Sequence, residues 1–299
     1  MGSTAPIGAA APIDHLPGAA ALEAVVASHV AALDAVRGAL PDIALAADAV
    51  AGALARGAVI HYAAAGSSGL MALADASELP GTFGVPQAQV RISMAGGVPA
   101  DGHMPGDTED STEDAARDAG SLRPGDVAIV VSASGTTPYA LAFARAARDR
   151  GARVIGIANV AGSALLQGAD IALALNTAPE VVEGSTRLGA GTAQKAALNM
   201  ISTLAGVLLG HVHDGLMVNL HPDTIKLRRR ARDIVTRIAG VDAAAAERAL
   251  DATGYRTKAA VLVAAGGLAP DAAQTLLDRH RGRLGACLAE LRTSPETTQ

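Results

Sequence analysis

The chain has 299 residues, a length that fits one large α/β domain with at most a small appendage. Half of the residues are hydrophobic but only 2% are aromatic, so Ala, Val and Leu must fill the core. The net charge of -5 argues against a general affinity for nucleic acid or for an anionic membrane. Cys287 is the single cysteine, which excludes an internal disulfide and is typical of a cytoplasmic protein.

No segment is typical of a targeting signal or a membrane span. Residues 1–18 are rich in Ala, Gly and Pro without a basic region, and we expect a flexible arm there. The longest apolar run, 196–210, contains Asn199, Ser202 and Thr203 and is too short to cross a bilayer. The basic run 226–233 is expected to form a solvated helix face or a patch near an anionic substrate.

The first half of the chain predicts alternating helices and strands. Apolar spacing over 19–56 predicts two helices, divided near 38–42. Short apolar runs that end in Gly, Ser or Asn then predict five strands, which lie within 58–69, 89–97, 126–137, 152–159 and 170–176. Strands that are apolar on both faces and alternate with helices indicate a parallel sheet covered on both sides.

The pattern changes after Gly240. Short helical segments separated by glycines fill 240–292 without a strand signal, and 293–299 is expected to be a frayed tail. We therefore predict an α/β domain over 19–239 and a small helical domain over 240–292.

Three loops that follow predicted strands carry hydroxyl groups beside glycines. Their sequences are "AAGSSG", "SASGTTP" and "EGSTR". Glycine lets the backbone approach a ligand, hydroxyls donate to phosphate oxygens, and a helix N-terminus adds N–H donors. Neither a dinucleotide fingerprint nor a phosphate-binding P-loop is present, which favours a small phosphorylated metabolite over a nucleotide. The candidate phosphate ligands are Ser67, Ser68, Ser132, Ser134, Thr136, Thr137, Ser185 and Thr186.

These loops and the strand–helix alternation resemble the sugar isomerase (SIS) domain. The stretches "LADASELPGTFGVP", "MAGG", "EVVEGSTRLGAGTAQKAALNMIST" and "DGLMVNL" make the resemblance closer. Together they resemble the N-acetylmuramic acid 6-phosphate etherases and the related glucokinase regulatory protein. The resemblance implies a doubly wound, five-stranded parallel sheet, a homodimer with sites near its interface, and a C-terminal domain similar to ubiquitin-associated domains.

The resemblance also implies a reaction. Etherases remove the lactyl ether from N-acetylmuramic acid 6-phosphate by elimination and addition of water, without metal or cofactor, in the recycling of cell-wall amino sugars. Glu78 matches the position of the acid, and its neighbours Leu79 and Phe83 lead us to expect partial desolvation. The position of the usual base falls on Gly106, so Asp107 and Glu109 are the candidate bases.

Three further positions depart from the etherase pattern. Leu70 and Thr136 stand where etherases have Arg, and Gly189 stands where they have Lys. The loss of three cations predicts a smaller or less anionic substrate than N-acetylmuramic acid 6-phosphate.

Two alternatives to the lyase stay open. Sugar-phosphate isomerases of the same superfamily move a proton with a glutamate near a similar loop, for which Glu180 and Glu183 are the candidates. A non-catalytic phosphosugar sensor would need neither. Lys195, near the expected start of a long helix, is predicted to contact phosphate or to lie at the dimer interface. The cluster of His211, His213, Asp214 and His221 shows no supporting ligand pattern, and we expect no metal.

Overall fold

The computed structural model describes residues 11–293, so most of the predicted tail and the first ten residues of the predicted arm lie outside it. The strands are β1 (Ile60–Ala64), β2 (Val90–Met94), β3 (Val127–Ser132), β4 (Arg153–Ala158), β5 (Ile171–Ala174), β6 (Val212–His213) and β7 (Leu216–Met217). The helices are α1 (Gly18–Val36), α2 (Leu40–Ala55), α3 (Gly66–Phe83), α4 (Thr112–Asp118), α5 (Pro138–Asp149), α6 (Ala164–Gly168), α7 (Gly189–Leu208), α8 (Ile225–Ala239), α9 (Ala243–Ala252), α10 (Thr257–Gly266), α11 (Pro270–Arg279) and α12 (Leu284–Thr293).

The first five strands form one parallel sheet in the order β2-β1-β3-β4-β5. Alternate side chains of β3 enter different cores, as the pleat of a strand requires. Val127, Ile129 and Val131 pack with α1, α2, α3 and α7, whereas Ala128 and Val130 pack with α4, α5 and α6. The predicted doubly wound α/β sheet and its five strands are therefore confirmed.

A buried aspartate joins α3 to the sheet and to α7. Asp75 accepts hydrogen bonds from Tyr62 Oη at 2.9 Å, Asn199 Nδ2 at 2.8 Å and Ser202 Oγ at 2.8 Å. Burial and the adjacent Asp75 raise the pKa of Tyr62 well above its usual value, which keeps the phenol protonated as a donor. Because three donors compensate the desolvation of the carboxylate, this network fixes α3 between β1 and α7.

A second hydrophobic core lies in the C-terminal part of the chain. It includes Val218 and Leu220 after the β6–β7 hairpin, Ala231 and Val235 of α8, and the buried faces of α9 to α12. Since α8 packs with these helices rather than with the sheet, its packing favours a boundary earlier than the predicted division at 239/240. The single cysteine, Cys287, is a buried free thiol in this core.

One helical stretch among the described residues, Gly18–Ala55, is long and apolar enough to span a membrane by length and mean hydropathy alone. It consists of α1 and α2, separated by a short 3₁₀ turn at Arg37–Ala39. Eight residues of α2, from Ile43 to Leu54, are buried in the core beside the sheet. These apolar side chains of α2 are therefore part of the hydrophobic core.

The buried His61 of β1 makes the stability depend on pH. Its Nε2 lies 2.9 Å from Ser93 Oγ, and burial, with a smaller effect of the Arg91 charge, lowers its pKa from 6.5 to about 4. Between these two values the unfolded chain binds a proton that the folded chain does not. The free energy of unfolding is therefore not lowered by His61 above pH 6.5. As the pH falls from 6.5 toward 4, protonation of His61 in the unfolded chain lowers the free energy of unfolding by at most about 1.4 kcal/mol per pH unit.

We expect His61→Gln to reduce this slope, because glutamine cannot take up a proton. Urea unfolding between pH 7.5 and 4.5 measures the free energy of unfolding of both proteins. His211→Gln is a second test, since burial also lowers the pKa of His211 to about 4. Identical slopes in wild type and in both variants would contradict the assignment.

Candidate functional site

The order of the strands reverses between β1 and β3. From β1 the chain proceeds to β2 on one side, and from β3 it proceeds to β4 and β5 on the other. Ligands of open parallel sheets bind at such a reversal, outside the carboxyl ends of the strands. Ala64 and Val131 are paired at these ends, so the loops that follow the two strands emerge side by side. The predicted loops "AAGSSG" and "SASGTTP" are thereby brought together.

The loop after β3 holds its own shape with its hydroxyl groups. Ser132 Oγ accepts a hydrogen bond from Gly135 N at 3.1 Å and lies 2.9 Å from Thr137 Oγ1. Thr136 Oγ1 donates to Ser134 Oγ at 2.9 Å. Ser132 is buried, whereas Ser134 and Thr136 are exposed. The inner pair therefore positions the loop, and the outer pair is available to a ligand.

The loop after β1 leads directly into α3. Ser67 is half-buried and Ser68 is buried in the first turn of this helix, whose N-terminus has no side-chain cap within residues 11–293. The first N–H groups of a helix lack partners inside it and attract anions. This end of α3 is thus a suitable position for a phosphate group.

Glu109 lies between the two loops. Its backbone oxygen accepts a hydrogen bond from Tyr139 N at 2.9 Å, in the first turn of α5. Its side chain approaches Gly66 so closely that a Cβ built on Gly66 would be 2.6 Å from Glu109 Oε1. Gly66 has a φ of +53°, so glycine satisfies both the backbone conformation and the close contact. Of the two candidate bases, Glu109 is the one with contacts at the ends of the strands.

Asp107 and Gly106, like Glu109, are exposed. Asp107 has a φ of +49°, and its side chain forms no hydrogen bond or ion pair in the described part of the chain. Its role as a base stays a prediction without a contact to support it.

Glu180 caps α7. Its Oε2 accepts from Gly189 N at 2.9 Å and its Oε1 accepts from Ala190 N at 2.8 Å. The helix begins at Gly189, so Lys195 and Gln194 lie in its second turn. The prediction that Lys195 lies near the start of the helix is corrected accordingly. Both oxygens of Glu180 are therefore engaged in holding a helix N-terminus, a role that sequence spacing could not reveal because the cap comes from nine residues upstream.

The loop between Glu180 and α7 presents the other predicted ligands. Ser185 is half-buried, whereas Glu183, Thr186 and Lys195 are exposed. Behind them, sequence reasoning missed Asn159 at the end of β4. Its Oδ1 accepts from Gln194 Nε2 at 2.8 Å, and its Nδ2 donates to Thr177 Oγ1 at 3.2 Å. This buried pair fixes α7 to the edge of the sheet where the loops meet.

Glu78 lies elsewhere in the single chain. It is twelve residues beyond Gly66 on α3, which corresponds to about 18 Å along the helix. It lines a cavity of about 220 Å³ with Asp75, Asn199 and Thr203. Glu78 is exposed, although Leu79 and Phe83 are buried as expected. One chain by itself neither desolvates Glu78 nor places it beside Glu109.

Comparison with known proteins identifies the family. A protein-family model described as a SIS domain matches residues 27–159. An N-acetylmuramic acid 6-phosphate etherase from Symbiobacterium thermophilum is 43% identical over 235 residues, 78% of each chain. The one from Deinococcus radiodurans is 40% identical over 269 residues, 89% of this chain and 88% of that one. The chain belongs to the N-acetylmuramic acid 6-phosphate etherase family.

Solved structures agree with the SIS fold of this etherase-family chain. An E. coli CFT073 protein in complex with A5P matches with a TM-score of 0.50 at 16% identity, over 67% of this chain and 97% of that one. At this identity the likeness concerns the fold alone.

The three departures from the etherase pattern lie around the strand ends. Leu70 is exposed at the beginning of the second turn of α3, and Thr136 is exposed in the loop after β3. Gly189 is buried, and a Cβ there would lie 3.3 Å from both Glu180 Oε2 and Ser28 Oγ. The first two positions thus remain accessible to a ligand, while Gly189 serves the packing around the Glu180 cap.

The histidine-rich segment after α7 has a different environment. His211 has a lowered pKa owing to its burial, and His213 lies 3.8 Å from Asp214. Among residues 11–293, no group of three or more His, Cys, Asp or Glu side chains converges in a way that could hold a metal ion.

Gly135 provides a test of the loop after β3 in this etherase-family chain. Its φ is +66°, and an added Cβ would be 2.1 Å from Ser163 Oγ. Gly135→Ala should lower the free energy of unfolding by about 2–4 kcal/mol, from the left-handed backbone and the overpacking together.

Gly162→Ala is the matched control, because Gly162 also has a φ of +66° but no atom within 4 Å of its Cβ position. Gly162→Ala should lower the free energy of unfolding by only about 1–2 kcal/mol, the cost of the left-handed backbone without overpacking. Urea unfolding measures both variants, and equal losses would show that Gly135 has more space than described.

Proposed function

We propose that this protein is a carbon–oxygen lyase that cleaves the lactyl ether of N-acetylmuramic acid 6-phosphate, or of a close variant of that amino-sugar phosphate. The products are N-acetylglucosamine 6-phosphate and lactate. The observation that carries the proposal is the identity of 40–43% to etherases over most of both chains. The location is the cytoplasm, and the reaction belongs to the recycling of cell-wall amino sugars.

The phosphate of the substrate occupies the edge where the loops after β1 and β3 meet. The N-terminus of α3, the Ser67 and Ser68 hydroxyls and the exposed pair Ser134 and Thr136 supply donors there. A phosphate oxygen gains from such preorganised donors because they need no rearrangement on binding. The contacts of Ser132 with Gly135 N and Thr137 Oγ1 hold the loop after β3 in one shape. This preorganisation supports the assignment of the phosphate to this edge.

The elimination requires a base and an acid. In the open-chain sugar the proton on the carbon next to the aldehyde is acidic, and its removal expels lactate from the neighbouring carbon. Glu109 is proposed as the base, because its carboxylate lies at the start of α3 beside the phosphate position. Glu78 is proposed as the acid that protonates the ether oxygen of the leaving lactate. Water then adds to the double bond to give the product.

The distance between these glutamates supports a site built by two subunits. About 18 Å of α3 separates Glu78 from the loop after β1 within one chain. The Glu78 side chain is also exposed on the surface of that chain. A homodimer that places Glu78 of one subunit near Glu109 of the other would bring the two carboxylates together and would cover the exposed Glu78. The outer face of α1 supports such an association, because Leu22, Val26 and Val30 are more than half exposed in a continuous apolar stripe.

The isomerase alternative now depends on Glu183 alone, since both oxygens of Glu180 hold the start of α7. The replacement of the usual base by Gly106 and of three cations by Leu70, Thr136 and Gly189 favours either a changed substrate or a sensor without catalysis. These outcomes differ in the products that the protein releases.

Glu78→Gln and Glu109→Gln should each lower the rate of lactate release by about 10²–10⁴-fold, because an amide cannot exchange a proton as an acid or a base. Binding of the substrate, measured by calorimetry, should change little. Glu113→Gln is the control, since Glu113 is an exposed carboxylate four residues further along the chain, on α4. Lactate is measured from N-acetylmuramic acid 6-phosphate and from its unphosphorylated parent.

Wild-type protein that binds the phosphorylated sugar but releases no lactate would refute the lyase. Exchange of the proton at the second carbon of a sugar phosphate, abolished by Glu183→Gln, would then indicate an isomerase. Binding with neither activity would indicate a sensor.

Mixing the two inactive variants tests the shared site. If Glu78 and Glu109 of different subunits act together, dimers that combine a Glu78→Gln subunit with a Glu109→Gln subunit contain one intact site and regain lactate release. Sedimentation verifies the dimer at the same concentration. A monomeric protein, or mixed dimers that stay inactive, would contradict this arrangement.

A further inference from the structure

A cavity in the C-terminal part of the chain is far from the strand-end loops. It has a volume of about 660 Å³ and lies between the end of α3 and the C-terminal helices. Gly84, Asn219 and His221 line one side, and the first turn of α10 lines the other. A second cavity of about 460 Å³ adjoins it and shares Lys258 in its wall. Gly84 follows the end of α3 opposite to the phosphate loop, so this space is separate from the site described above.

Lys258 brings an unpaired positive charge to the boundary between these cavities. The residue is only 8% exposed, and its Nζ donates one hydrogen bond, to Gly282 O at 3.0 Å. It forms no ion pair with any residue of 11–293. An ammonium group has three N–H donors, and a buried charge is costly unless it is paired. Burial lowers the pKa of Lys258 from 10.5 to about 8, which leaves the ammonium form predominant at neutral pH.

Two further polar atoms at the same cavities lack a partner. Thr257 is 3% exposed, lines the larger cavity, and its Oγ1 has no hydrogen bond within the described residues. His211 lines the adjoining cavity, and its Nδ1 is buried with no acceptor or donor found for it in residues 11–293. Buried polar groups are satisfied in the great majority of cases, so these two unpartnered atoms, one at each of the adjoining cavities, favour a polar ligand there.

The helix geometry identifies the charge of that ligand. Thr257 and Lys258 are the first residues of the ten-residue α10, whose N-terminus has no side-chain cap in the described structure. Arg256 precedes them and donates to Gln274 Oε1 rather than to a carboxylate. Arg228 lies over the Tyr255 ring at 4.8 Å and also lines the cavity. Helix N–H groups, an ammonium and two guanidinium groups outnumber the carboxylates of Asp223 and Asp278 in the cavity wall and favour an anion.

We infer that the cavity between the end of α3 and the first turn of α10 is a second binding site, for a phosphate monoester of a small polyhydroxylated molecule. The phosphate lies at the N-terminus of α10, where Lys258 and Thr257 donate to it. Asp223 and Asp278 at the edge of the cavity accept hydrogen bonds from the hydroxyl groups of the ligand. Because Gly84 at the end of α3 and the C-terminal helices both line the cavity, the bound ligand joins the α/β part to those helices. This inference does not depend on the etherase reaction.

Calorimetry with inorganic phosphate as the probe tests the site. The measurements are made in a Ser134→Ala background, which weakens the strand-end site. Lys258→Met should then weaken phosphate binding at least about tenfold, the effect of removing a charge-assisted hydrogen bond. Thr257→Val, which keeps the shape of threonine, should weaken it about threefold or more, the effect of one neutral hydrogen bond.

Hydrogen exchange locates the bound anion independently. Phosphate should slow amide exchange in the first turn of α10 in the Ser134→Ala protein and have no such effect when Lys258→Met is added. Without phosphate, both variants should be at least as stable as their parent, because each removes a buried polar group that has unused hydrogen-bonding capacity. Unchanged phosphate affinity in both variants, or protection confined to the strand-end loops, would overturn the inference.

Discussion

The reversal of strand order between β1 and β3 is the constraint on which the candidate site depends. A parallel sheet directs the carboxyl ends of all its strands to one edge, and the reversal opens a crevice between two neighbouring loops there. The alternation of Val127 and Ile129 with Ala128 along β3 lets helices cover both faces and keeps that edge as the accessible one. The proposed phosphate position and the Glu109 side chain both lie at this edge.

Short polar contacts then make this edge rigid. Ser132 and Thr137 hold one loop, Glu180 holds the N-terminus of α7, and Asn159 links that helix to β4 through Gln194. Each contact engages a polar side chain within the fold and so removes it from the groups open to a ligand. Hydroxyls and carboxylates at this edge therefore divide into those that hold the loops in place and those, such as Ser134 and Thr136, that remain exposed.

The sequence was sufficient where a signal is local. The five strands are continuous apolar runs that end in small polar residues, and α1, α2 and α5 have helical spacing with clear ends, so these elements were predicted. The start of α7 was misplaced because its cap, Glu180, lies nine residues upstream and is recognisable only in three dimensions. The two-residue strands of the β6–β7 hairpin are too short for a periodic signal.

The functional residues divide in the same way. The hydroxyl loops were predictable from residue type and position, because strand ends collect at one edge of a parallel sheet. Whether Asp107 or Glu109 approaches that edge depends on how a long loop folds back to Tyr139, which no spacing rule determines. The exposure of Glu78 and the unpaired charge of Lys258 are likewise products of packing between elements distant in sequence.

Asp75 gives α3 a mechanical property. The helix is fastened near its middle by three hydrogen bonds, while its first residue contacts Glu109 and the residue after its end, Gly84, lines the large cavity. Because one carboxylate accepts all three bonds, β1 and α7 hold α3 in register from a single point. The spacing between the Glu109 contact at one end of α3 and the cavity at the other end is therefore set by this one buried side chain.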